Sequence, residues 1–243
     1  MSESDARWYP AKRKPSENGA SALPPPNVVK FAPVYTMHNP ERGVLPQAAN
    51  PRHLRIDHDL AYADLEAEAT RVRAFTIDLV DGLLQTPEYT AAVIRANQPL
   101  ASEELIRQRV EAWAPRHARL CDANPMCLEM IIAEGALRIE VGGRAAMRRQ
   151  LGHLLELTEL SNVDLRVVPA GRAYPAMGTP FRLLSFGGRR PEIGFVELLD
   201  MGLYVEEPDD IELYVVRFAG LRDVALDPEE TRRVIATLES GGD

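Results

Sequence analysis

The sequence predicts an α+β protein: a helical N-terminal half packed on a small sheet of three to five strands, two C-terminal helices, and a proline-rich irregular N-terminal arm. Three observations carry this reading. Nine of the 19 prolines fall between Pro10 and Pro51, including the run Pro24-Pro25-Pro26, and no 3.6-residue apolar period survives among them. From about His58 apolar residues recur at helical spacing, and after Pro125 short β-branched and aromatic runs bounded by glycine take over. Helices, then strands with short helices between them, then helices again lack the regular βα alternation of a doubly wound sheet.

Residues 1–55 are therefore read as the arm, either a flexible extension or a segment that docks on a partner with Val28-Val29-Lys30-Phe31 and Val34-Tyr35 as anchors, and residues 56–243 as an effector- or partner-binding domain. Leu60, Leu65, Ala69, Val72 and Phe75/Thr76, interleaved with Asp64, Glu66, Glu68, Arg71 and Arg73, predict an amphipathic helix from about His58 to Asp78. A turn follows at Gly82–Pro87, where Thr86 caps a helix with Pro87 in its first turn and Tyr89, Val93 and Ile94 inward. Ser102 caps the next helix, with Leu105, Val110, Trp113 and Leu120 inward and a kink or break expected at Pro115. Cys127–Ile132 reads as a strand and Glu134–Arg138 as a helical turn. Gly142-Gly143 opens a helix carrying Met147, Leu151, Leu154, Leu155 and Leu157. Strands follow at Asp164–Val168, Phe181–Phe186, Phe195–Glu197 and Leu203–Val205, then helices at Pro208–Asp223 and Pro228–Leu238.

Composition narrows the function classes. With 45% hydrophobic and 26% charged residues and no apolar run near the roughly 20 residues of a bilayer span, a membrane protein is not expected. The first residues lack a secretory apolar segment, so a cytoplasmic location is expected. Two cysteines, Cys121 and Cys127, and five histidines without ligand spacing predict neither disulfide framework nor metal, and no cofactor is expected. Net charge is -8. Residues 1–56 hold eight Lys and Arg against four Asp and Glu, which leaves the rest of the chain at -12. That acidic body repels phosphate backbones, and the arm shows no helix-turn-helix, so direct sequence-specific DNA binding is not expected. Gly142-Gly143 lacks the spacing of a nucleotide loop and reads as a turn and cap. His153 reads as a packing residue, and no spacing fixes a pair of catalytic carboxylates.

Several short motifs resemble a known family when taken in order: Asp64-Leu65-Glu66-Ala67-Glu68-Ala69, Gly82-Leu83-Leu84-Gln85-Thr86-Pro87-Glu88-Tyr89, Arg107-Gln108-Arg109, Glu134-Gly135-Ala136-Leu137-Arg138, Val141-Gly142-Gly143, Met147-Arg148-Arg149-Gln150-Leu151, and Gly178 followed by Phe181 and Leu183. From about Leu60 to Leu238 the chain is similar to the C-terminal domain of unknown function in actinobacterial Xre-type helix-turn-helix, antitoxin-like transcriptional regulators. The resemblance implies a non-enzymatic sensing or partner-binding domain; a small partner protein, a separate DNA-binding protein, a small effector and a second copy in a homodimer are the expected candidates. This chain departs from the family where the proline-rich arm stands in place of the DNA-binding helices, and at Pro115.

Among the matching positions, Glu66, Gln85, Tyr89, Arg107, Glu134 and Arg138 are polar or amphipathic where packing alone would accept simpler residues. They are expected to line a ligand- or partner-binding pocket between the first helices and the sheet. Two other readings compete with the regulatory one: an enzyme or substrate-binding protein recruited to an actinobacterial biosynthetic pathway, and a remnant serving as a dimerisation module.

Overall fold

Six described strands form one mixed sheet: β1 (Arg71–Thr76), β2 (Cys127–Ala133), β3 (Val163–Val168), β4 (Phe181–Ser185), β5 (Ile193–Glu197) and β6 (Gly202–Val205), in the spatial order β3-β2-β1-β4-β5-β6. The computed structural model describes residues 62–198 and 202–242; the arm at 1–55, its apolar anchors and the helix start at His58 lie outside them. β1, β2 and β3 are parallel, while β4, β5 and β6 add antiparallel on the far side of β1. Helix α1 spans 62–68, followed by α2 (Pro87–Asn97), α3 (Glu103–Ala118), α4 (Glu134–Arg138), α5 (Arg144–Leu157), α6 (Pro208–Val224) and α7 (Pro228–Glu239). Parallel neighbours need crossovers, and these are supplied by α2 and α3 between β1 and β2 and by α4 and α5 between β2 and β3.

The α+β architecture and the two C-terminal helices agree with the expectation, with one correction. The stretch read as one long helix is α1 and then β1, which raises the sheet to six strands. The helix stops because the Thr70 N–H donates to the Ser185 carbonyl at 2.9 Å and hands the chain to the sheet. From there period two replaces 3.6: Val72 and Ala74 enter the core with Leu128, Met130 and Ile132, while Phe75 enters the opposite core. Tertiary pairing on both sides of β1 overrides the helical spacing of Ala69, Val72 and Thr76.

Each face of the sheet has its own core. Val72, Leu128, Met130, Val163, Leu165 and Leu184 pack with Tyr89, Met147, Leu151, Leu154 and Ile235, from α2, α5 and α7. On the other face Phe75, Ile131, Phe181, Leu183, Val196 and Val205 pack under Ile211, Phe218 and Leu221 of α6. Thr86, Ser102 and Asp227 cap α2, α3 and α7 through their side chains.

Pro115 does not break its helix; α3 runs through it, with the proline on the exposed side. Two anchors flank it: Trp113 lies on the 3-10 turn at Gly82–Leu84, and Arg116 pairs with Glu66. A Cβ on Gly82 would stand 2.1 Å from the Trp113 ring, so only glycine leaves room for the indole. Gly142 and Gly143, both at positive φ, make the turn into α5, as read from the sequence.

Candidate functional site

The site is built where the parallel half of the sheet meets the antiparallel half. Ala74, Arg182, Phe195 and Tyr204 are register partners across β1, β4, β5 and β6, so Arg182 and the two rings stand on one face in a row. Over this row lie Tyr62 and Glu66, one turn apart on α1. Asp81, the cap of the 3-10 turn, and Arg116, in the last turn of α3, complete the group.

Two hydrogen-bonded ion pairs define its geometry. Arg182 Nε donates to Asp81 Oδ2 at 2.8 Å, and its Nη1 donates to Glu197 Oε2 at 3.2 Å. Arg116 grips Glu66 with two nitrogens, Nη2 donating to Oε2 at 2.7 Å. Both carboxylates are buried, Asp81 and Glu66 each keeping 2% of their exposure. The guanidinium carbons stand 5.5 Å (Arg182) and 5.8 Å (Arg116) from the centre of the Tyr62 ring. Arg116 also covers Trp113 at 4.2 Å, and Tyr62 packs on Phe195 with ring centres 4.4 Å apart. Each cation is thus held by a carboxylate and faced by aromatic rings.

The electrostatics follow from burial. Desolvation works against the Asp81 carboxylate, yet the charge of Arg182, the Leu83 N–H and Arg116 together outweigh it and lower its pKa. Tyr62 moves the other way: burial first, then the Glu66 carboxylate, raise its phenol well above the ordinary range, so it stays neutral and a hydrogen-bond donor. Its Oη is buried and has no hydrogen-bond partner among the described residues. His117, next to Arg116, is half-buried with its ring centre 6.0 Å from that of His153. Burial, then His153 and Arg116, lower its pKa against the weaker opposing pull of Asp81 and a hydrogen bond to the Gln85 backbone.

The six residues expected to form one pocket are placed in four groups. Glu66 belongs to the cluster just described. Gln85 and Tyr89 are buried nearby but brace the turn: Gln85 Nε2 donates to the Val80 carbonyl at 2.7 Å, and the Val80 N–H donates to Tyr89 Oη at 3.1 Å. Arg107 lies on the open surface of α3, paired with Glu104 and Glu111 of its own helix. Glu134 and Arg138 pair with each other at the end of β2, where Glu134 also accepts the Ala170 N–H at 2.9 Å. Arg107 is turned outward because α3 buries Ile106 and packs Trp113 against Gly82, so its expected partnership with Glu134 does not form.

Tyr62, Asp81, Arg116 and Arg182 went unread in the sequence. Asp81 carried a signal, an acidic residue before Gly-Leu-Leu at a turn; Arg182 carried a weak one, a lone cation inside the strand Phe181–Ser185. Among the described residues no group of three His, Cys, Asp or Glu is arranged to hold a metal ion. No described helix is long and apolar enough to cross a membrane. Cys121 and Cys127 are free and exposed.

Residues 60–237 match the family model of a domain of unknown function, DUF5753. The chain belongs to the DUF5753 family. No helix-turn-helix family matches it. No curated protein matches the chain. Every member of the Tyr62 cluster, from α1 to β6, lies within the DUF5753 segment, so the cluster is part of the family body and not of the arm.

Proposed function

We propose that this DUF5753 chain is an antitoxin-like regulatory domain of the actinobacterial Xre class. In this reading it binds a small effector or partner protein at the Tyr62 cluster and influences transcription through a separate DNA-binding protein. The observation that carries the proposal is the Tyr62 hydroxyl: a neutral donor, buried without an acceptor among the described residues, on a ring faced by two guanidinium groups already fixed by carboxylates. An unsatisfied buried hydroxyl costs roughly 1–3 kcal/mol and serves packing no better than phenylalanine, which argues for use by an acceptor group arriving from outside. Paired cations and aromatic faces suit recognition, since each ion pair is already hydrogen-bonded and contributes little net stability by itself.

The test is a deletion strain profiled for transcripts and small metabolites, restored with the wild-type chain, alongside gel shifts with the purified chain at about 0.15 M salt. The proposal expects altered transcripts, their recovery, and no sequence-dependent shift by the chain alone. Unchanged transcripts with one missing metabolite would favour the biosynthetic reading instead.

A further inference from the structure

A second surface lies on the other side of the sheet, where α6 leaves β6. Pro191, Pro208, Ile211 and Val215 form the floor of a groove of about 310 Å³, and Glu192, Glu206 and Glu212 stand in its wall. Ile211 is packed so closely on β5 that a Cβ at Gly194 would stand 3.4 Å from its Cδ1 and 3.1 Å from the Val205 Cβ. The floor is therefore set by the core beneath it. Among the described residues no lysine or arginine lines the groove, and Glu192 is the one wall carboxylate already paired there, with Arg73 at 2.5 Å.

The charge at the start of α6 is one-sided. Glu206, Glu207, Asp209, Asp210 and Glu212 are all exposed. Asp209 and Asp210 sit in the first turn of α6, where the helix dipole accounts for them; Glu206 before the helix and Glu212 beyond that turn have no such reason. Apolar surface continues outward on the same helix, with Val216 61% and Leu213 46% exposed. A helix that is apolar on more faces than its own core covers is a mark of an interaction surface.

We infer that this groove docks a segment of a partner protein that carries lysine or arginine beside one or two apolar side chains. The apolar anchors enter between Pro191, Ile211 and Val215, and the basic groups meet Glu206 and Glu212. The body of a second copy is a poor occupant, because residues 57–243 carry net charge -12 and present acidic surface to an acidic groove. The groove lies across the sheet from the Tyr62 cluster, so the inference goes beyond the effector reading and does not depend on it.

The test is panning of the full chain against a phage-displayed library of short random peptides, followed by affinity measurements on the enriched peptides. Two variants map the site: Val215→Arg in the floor, and the exposed pair Glu206→Lys with Glu212→Lys, which leaves the core untouched. The expected result is enrichment of peptides with Lys or Arg next to Leu, Pro or aromatic residues and a loss of affinity of about tenfold or more in each variant. Thermal melting of the Glu206→Lys, Glu212→Lys variant should match wild type. No enrichment, enrichment of acidic or uncharged peptides, or undiminished binding by the charge-reversed variant would overturn it. So would self-association of the chain that Val215→Arg abolishes.

Discussion

Arg182 reaches from β4 across the end of β1 to donate to Asp81 at 2.8 Å, and none of the Asp81 side chain is exposed. Removing one partner leaves a charge stranded among Tyr62, Phe195 and Glu66. Asp81→Asn is expected to cost a large part of the roughly 3–5 kcal/mol seen when a buried pair is broken, moderated because Arg182 keeps Glu197. Arg182→Met alone should cost a similar amount, and the double variant less than the sum. Urea denaturation of all four proteins checks this, with a coupling energy of about 0.5–3 kcal/mol expected. The pH dependence has a definite sign. The folded state lowers the Asp81 pKa, so its contribution is complete above the ordinary aspartate value of about 3.9 and is lost as pH falls through the lower folded value.

His117 governs an earlier acid window. Its pKa is lowered by burial, then by His153 and Arg116, so the folded state favours the neutral ring. The associated stability is complete above about pH 6.5 and is lost as pH falls below that towards the folded value. Denaturation midpoints measured between neutral and mildly acid pH should decline in wild type, and the decline should be shallower in His117→Gln. A wild-type curve that is flat across this window, or one unchanged by the substitution, contradicts the assignment.

Arg107 and Glu134 supply a prediction of the opposite kind. Because Arg107 sits on open helix surface beside Glu104 and Glu111, Arg107→Ala should change stability by no more than about 0.5 kcal/mol. Glu134→Ala should cost about 1 kcal/mol, through the lost Ala170 N–H and Arg138 contacts. The two effects should add in the double variant, which denaturation of the set will show. A coupling beyond about 0.5 kcal/mol would mean that the side chains meet after all.

These cases also show what the sequence makes legible. Capping chemistry is local, so Thr86, Ser102 and Asp227 announce their helices, and the strands after Pro125 stand out by composition. β1 is hidden because Ala69, Val72 and Thr76 satisfy a helical spacing, and only pairing with Leu128 and Leu184 reveals the alternation. The site was legible in one residue, Glu66. Its partner Arg116 is 50 residues away and Arg182 lies 101 residues from Asp81, so no spacing rule connects them. Polar residues at motif positions proved a poor guide: Gln85 and Tyr89 hold a turn, and Arg107 meets solvent.

The proposed use of the cluster rests on the Tyr62 hydroxyl, and Tyr62→Phe isolates it. The ring and its contact with Phe195 are kept, while a buried donor without an acceptor among the described residues is removed. The purified variant should be as stable as wild type or more so, by about 1 kcal/mol on urea denaturation. The deciding measurement is the transcript profile of the deletion strain carrying Tyr62→Phe. The account predicts that this stable variant fails to restore the wild-type profile; full restoration by Tyr62→Phe would contradict it.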